Sequence, residues 1–282
     1  MKKIYLIPNT ITAFGLACGL FVIFKITMLD RNVEGAIGTY EILQSCVIFL
    51  LIAALADLLD GAVARIMHAE SEFGLVFDSL ADAVSFGVAP SVLLIRSLEL
   101  QPKTPLALLV MSSAMLFSIC AILRLVRYNV TATAAKGDDA AESAQKKNFT
   151  GLPIDAGALS AISAILILNS PFVSFLNLTN QTIALILSAV MLVLGYFMVS
   201  PWKFPSLKTI SLRKVPAFQL VFFTVLISLF LLYGAVHFFP VVFFGLAWSY
   251  LILAWTLSLI RLIAGRKSKT LEDFEPEDDE DE

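Results

Sequence analysis

Cysteine and histidine are scarce in this chain, at three and two among 282 residues. Cys18, Cys46 and Cys120 all fall in apolar stretches, and their odd number and scattered spacing argue against a disulfide framework or a zinc site. His68 and His237 stand apart, each without a ligand-like neighbour. All five are read as packing or interface residues. Also missing are an internal repeat of fixed period, a glycine-rich phosphate loop and runs of alternating polar and apolar residues. The last absence argues against a β-barrel. Charge is thin as well: 15% of the residues are charged, 58% are hydrophobic, and the mean hydropathy is +0.84. A soluble domain sits nearer half apolar.

What the chain does have is a series of apolar runs near twenty residues, each able to cross about 30 Å of hydrocarbon as a helix. The expected spans are 10–29, 42–66, 74–97, 105–127, 154–169, 182–200, 215–235 and 240–262. The fold class is therefore all-α, a polytopic transmembrane bundle of about eight spans, the fifth short and rich in small residues. The opening "MKKIYLIPNT" carries two lysines, but no small-residue cleavage site follows its first apolar run, which is read as retained. Residues 1–265 are read as one membrane-embedded domain and 266–282 as an acidic, disordered cytoplasmic tail.

Basic residues set the orientation. Sixteen of the 20 Lys and Arg fall on one side, among them Lys2, Lys3, Arg65, Arg124, Arg127, Lys203 and Arg266. Only Lys25, Arg31, Arg96 and Lys103 fall on the other. Both termini and the Arg65 turn are expected on the cytoplasmic face of the cell (inner) membrane. The net charge of −3 conceals this, because nine of the 23 acidic residues lie from Glu272 onward. The remainder carries +6, suited to anionic lipid headgroups or nucleotide phosphates. The long polar stretch 131–148 and the proline-interrupted "SPWKFPSLK" (200–208) read as cytoplasmic connections, and the uncharged 169–181 as an external one.

Against this background, "DLLDGAVARIMHAESEFGLVFDSLAD" (57–82) is conspicuous. Asp57 and Asp60 are spaced i, i+3, so one helical face carries both. Gly61 and Ala64 keep that face free of bulk, and Arg65 closes the helix. On the next span Gly74, Asp78 and Asp82 recur at i, i+4, i+8. Two antiparallel helices joined by a short turn can aim four carboxylates at one point. Pairing with local bases would be the plainest explanation, yet only Arg65 and His68 are nearby. Unpaired carboxylates at depth cost several kcal/mol each or take up protons. Divalent cations solve the problem directly, and an all-oxygen ligand set favours Mg²⁺, Mn²⁺ or Ca²⁺ over zinc.

The stretch resembles the signature of the CDP-alcohol phosphatidyltransferases, D-x-x-D-G-x-x-A-R-x8-G-x3-D-x3-D. It reads here as Asp57, Asp60, Gly61, Ala64, Arg65, Gly74, Asp78 and Asp82, with no departure. The resemblance implies that Asp57, Asp60, Asp78 and Asp82 hold a pair of divalent cations, Mg²⁺ or Mn²⁺, that grip the diphosphate of a CDP-linked lipid. Asp82 matches the aspartate that also serves as catalytic base. Gly61, Ala64, Arg65 and Gly74 match the CDP-lipid face, and Ser71 stands where some members place a hydroxyl on the phosphate. Two metals stabilising the attacking and leaving oxygens suit phosphoryl displacement.

Three further stretches resemble the membrane-integral phosphatidylserine synthase branch of that family: "IPNTIT" (7–12), "LRLVRYNV" (123–130) with "FTGLP" (149–153), and "MVSPWKFPSLK" (198–208). The implied substrates are CDP-diacylglycerol and L-serine, the surroundings a lipid bilayer, and a second copy of the chain is a candidate partner. Nucleic acid has no place in this reading. Zwitterionic serine needs a cation for its carboxylate, and Arg127, Asn129 and Arg124 at the cytoplasmic end of the fourth span could supply the site; for the two arginines, anchoring the helix end or binding lipid phosphate is the alternative role. Asn9 and Thr12 could line the nucleotide site or cap the first helix. Two rival functions stand beside this one. A sibling enzyme would use glycerol phosphate, inositol phosphate or choline as acceptor. A cation-coupled transporter would show paired repeats or broken helices around a midplane site.

Overall fold

The computed structural model describes residues 6–28, 31–67, 71–98, 100–101, 103–134, 149–200, 203–204 and 237–264. The expected span 215–235, the residues 266–282 and His68 lie outside these. Helix α1 runs Leu6–Thr27, α2 Arg31–Ile66 and α3 Glu72–Asp82. A π-helical turn, Ala83–Val88, joins α3 to α4 (Ala89–Ser97). Then come α5 (Pro105–Ala134), α6 (Ile154–Leu168), a 3₁₀ turn (Pro171–Leu176), α7 (Asn180–Val199) and α8 (Phe239–Ala264). Six helical stretches among the described residues are long and apolar enough to cross a bilayer, Glu72–Ser97 counting as one, and Ile154–Leu168 is shorter. The protein is an integral membrane protein. Phe14, Leu58, Leu108 and Val193 each stay more than half exposed in the isolated chain. In a bilayer such side chains face hydrocarbon at no cost.

The chain divides into two compact units, Met1–Arg127 with Pro153–Val199, and Tyr128–Leu152 with Ser200–Glu282. In the second, the two-residue strands β1 (Phe149–Thr150) and β2 (Lys203–Phe204) pair antiparallel, Phe149 opposite Phe204. They bring residues 149–150 and 203–204 together, and they are a small exception to an all-α fold. Gly151 follows β1 with φ 85°, a left-handed conformation that a side chain would strain.

The first unit is built around α1 and α6. α1 packs against α2, α3, the π turn and α4. Its approach to the π turn is tight: a Cβ on Gly19 would fall 2.8 Å from Ser85 Cβ and 2.9 Å from Ser85 Cα. Helix α6 is only 15 residues, about 22 Å, too short to cross the hydrocarbon core alone. It compensates by burial, with Gly157, Ala158 and an unbroken run from Ser160 to Leu166 inside the unit. Its small residues let it sit against α2, α4, the π turn and α7.

The π turn has an identifiable cause. Pro90 has no N–H to return to the carbonyl four residues back, so the regular ladder cannot run through this point. Ala89 N–H instead reaches the Val84 carbonyl, five residues back. The Gly87 carbonyl accepts from Ser118 Oγ at 2.9 Å, and Ser118 also reaches Ser91, which donates to the Ala114 carbonyl. These bonds pin the irregular segment to α5. At the opposite end of α1 from the lysine-rich start, Arg96 donates to the Ile26 and Thr27 carbonyls, closing an otherwise open helix terminus.

Candidate active site: five carboxylates around Asp57

Helix α2 carries Asp57 and Asp60, α3 carries Asp78 and Asp82, and the turn between them is set by a cap. Ser71 takes an extended conformation and its hydroxyl accepts from Gly74 N–H at 3.0 Å, starting α3. The expected convergence of four acids is present. One oxygen each of Asp57, Asp60 and Asp78 lie within 4.8 Å of one another. A second group of three, under the same limit, consists of Asp57, Asp82 and Asp155. Asp57 belongs to both. Asp155, in the first turn of α6, is a fifth acid that pattern reading did not single out.

Thr12, Gly15, Asp57, Asp60, Asp78, Asp82 and Ser85 line one cleft with about 200 Å³ of empty space. Asp60 is buried, and Thr12 Oγ1 donates to its Oδ2 at 2.5 Å, fixing that carboxylate from a different helix. Asp78 Oδ1, Asp155 Oδ1 and Ser85 Oγ are fully buried and have no hydrogen-bond partner among the described residues. Native structures rarely leave such atoms unsatisfied.

Two carboxylates about 5 Å apart repel by roughly 3 kcal/mol at an effective dielectric of about 20. Several such pairs converge here, so as bare anions the groups would push the helices apart. Divalent cations placed among them add attractive terms that offset this repulsion. The donor set fits them: hard oxygen ligands, no Cys or His among the described residues of the groups, and orphaned carboxylate oxygens. Each of the two three-oxygen groups that share Asp57 could hold a metal ion.

The other anticipated residues divide by location. Gly61 is open, with no heavy atom within 4 Å of where a Cβ would stand, so a ligand can approach the α2 backbone there. Arg65 is exposed and folds back so that its Nε donates to the Gly61 carbonyl at 2.9 Å. Ala64 is half-buried on α2. Asn9 Oδ1 would lie 3.2 Å from a Cβ on Gly74, which places the asparagine beside the start of α3. Arg124, half-buried on α5, is near enough to Asp155 for their charges to interact. Arg127 is exposed and donates to the Val199 carbonyl at the end of α7. Asn129 belongs to the second unit.

Comparison with known proteins agrees with this geometry. Residues 5–197 match the family described as CDP-alcohol phosphatidyltransferase. A Helicobacter pylori protein named CDP-diacylglycerol–serine O-phosphatidyltransferase is 31% identical over 264 residues, covering 93% of this chain and 96% of its own. Proteins of the same name from Methanocaldococcus jannaschii and Bacillus subtilis are 31% and 30% identical, covering 73% and 72% of this chain and 76% and 91% of theirs.

Proposed function

This chain belongs to the CDP-alcohol phosphatidyltransferase family, and we propose that it moves the phosphatidyl group of CDP-diacylglycerol to L-serine, giving phosphatidylserine and CMP. The observation that carries the reading is the Asp57-centred cluster: two groups of carboxylate oxygens that share Asp57, in a chain whose near-full-length relatives bear that name. The cleft belongs to the cytoplasmic side of the cell membrane, where the basic residues gather and where serine and CMP are soluble.

Asp57, Asp60 and Asp78 would hold one Mg²⁺ or Mn²⁺, and Asp57 with Asp82 the other. Ions bound there would neutralise the diphosphate and stabilise the oxygens entering and leaving phosphorus. Thr12 keeps Asp60 turned inward. Gly61 leaves its backbone open to the nucleotide, and Arg65, one turn further along α2, stands at the same helix end. Asp82 takes the proton from the serine hydroxyl as that oxygen bonds to phosphorus. The bond from phosphorus to the CMP oxygen breaks, and CMP leaves with the electron pair. Of Arg124, Arg127 and Asn129, the candidates for the serine carboxylate, Arg124 is the one whose charge acts on the acid cluster, which supports it as the first choice.

The test is an acceptor panel. Purified protein in detergent, given CDP-diacylglycerol and Mn²⁺, should release CMP with serine and not with glycerol phosphate, inositol phosphate or choline. Release with one of those and not with serine would replace the acceptor while leaving the family assignment intact.

A further inference from the structure

Asp155 is the acid that the signature does not contain. It follows the Gly-Leu-Pro turn and opens a helix with no other charged residue. A carboxylate there can favour the helix N-terminus by the backbone dipole alone. That role needs no approach to other acids, yet an oxygen of Asp155 comes within 4.8 Å of oxygens of both Asp57 and Asp82. Its Oδ1 is fully buried without a hydrogen-bond partner among the described residues, where a capping or surface aspartate would find a donor or water. Helix α6 is held against α2 and the π turn by small buried residues, so the side chain is presented from a rigid wall. A cation held between them would offset the repulsion of a fifth anion this close to two others.

We propose that Asp155 is a further ligand of the second divalent cation, beside Asp57 and Asp82. The inference rests on the reading above that the cleft holds two such ions. The charges are compatible with it: two divalent ions and the Arg124 guanidinium, whose charge acts on Asp155, together balance the five carboxylates. A third carboxylate on that ion also lets Asp82 keep one oxygen for the acceptor proton. Asp155 thus divides the labour of the second site, Asp155 on the metal and Asp82 between metal and substrate.

The test is equilibrium Mn²⁺ binding to the full chain in detergent, read from the electron paramagnetic resonance of free Mn²⁺, with no substrate present. The wild type should bind two ions per chain. Asp155→Asn should keep one site at wild-type affinity and weaken the other at least 10-fold, with helical content and size-exclusion profile unchanged. Two unaltered sites in Asp155→Asn would overturn the proposal, as would loss of both sites in a protein that is still folded. If that variant does not fold, Asp155→Glu decides: its longer arm should shift the affinity of one site at least threefold and spare the other, and no shift at either site rejects the assignment. A wild type that binds no Mn²⁺ would overturn the two-ion reading along with this one, whereas a failed serine assay would leave these binding results standing.

Discussion

Thr12 and Asp60, 48 residues apart, are joined by a hydrogen bond from the threonine hydroxyl to a buried carboxylate oxygen. The bond ties α1 to α2 at the cleft. Thr12→Val is nearly isosteric and removes only the hydroxyl. A lost hydrogen bond to a charged group is worth about 1.5–3 kcal/mol, so CMP release at subsaturating Mn²⁺ should fall roughly 10- to 150-fold. Thr12→Ser keeps the donor and should retain most activity. Metal titrations of the two variants check this; equal behaviour would show that the bond does not orient Asp60.

Gly19 and Ser85 give a prediction about packing. A methyl group at Gly19 would meet Ser85 Cα as well as its side chain, so trimming the serine cannot make full room. Gly19→Ala should destabilise the protein by about 1–3 kcal/mol, the usual scale of overpacking. Thermal unfolding in detergent should show a lower Tm for Gly19→Ala, a near-normal Tm for Ser85→Ala, and only partial recovery in the double variant.

Arg124 and Arg127 are separated by one helical turn but by different company. Arg124→Lys keeps the charge and loses the planar fork, so it should raise the KM for serine by roughly 10- to 150-fold and leave the KM for CDP-diacylglycerol nearly unchanged. Arg127→Lys alters a bond to the Val199 carbonyl and should move the serine KM less than about threefold, since a neutral acceptor at an exposed site contributes little. Steady-state kinetics with each substrate varied in turn would separate them. A serine KM that follows Arg127 and ignores Arg124 would transfer the acceptor site.

The acidic end makes a simpler forecast. Residues 272–282 hold nine carboxylates and too little apolar surface to join a packed core. Their removal should leave folding and turnover intact, which size-exclusion chromatography and CMP release would show.

The four signature aspartates were legible in the sequence because helical spacing alone puts Asp57 with Asp60 and Asp78 with Asp82. Asp155 was not, since a lone acid after a Gly-Leu-Pro turn has no periodic partner, and its place beside Asp57 depends on how α6 packs. The π turn depends on a ladder broken at Pro90, and hydropathy does not register hydrogen-bond register. Helix ends differ for a related reason. The expected span at 42–66 is the apolar part of a helix that starts at Arg31, and the span at 105–127 continues to Ala134. Hydropathy marks where hydrocarbon begins, while backbone hydrogen bonds continue through the polar ends. The strands at 149–150 and 203–204 are two residues each, too short to show any alternation.

Asp57 is the residue on which the account turns, because both three-carboxylate groups include it. The most direct measurement is CMP release from CDP-diacylglycerol and serine by the wild type and by Asp57→Asn, each with Mn²⁺ and with EDTA. The wild type should be active with Mn²⁺, silent in EDTA and restored when Mn²⁺ is returned, and Asp57→Asn should be inactive throughout while remaining folded. Full turnover of the wild type in EDTA, or of Asp57→Asn with Mn²⁺, would contradict the account.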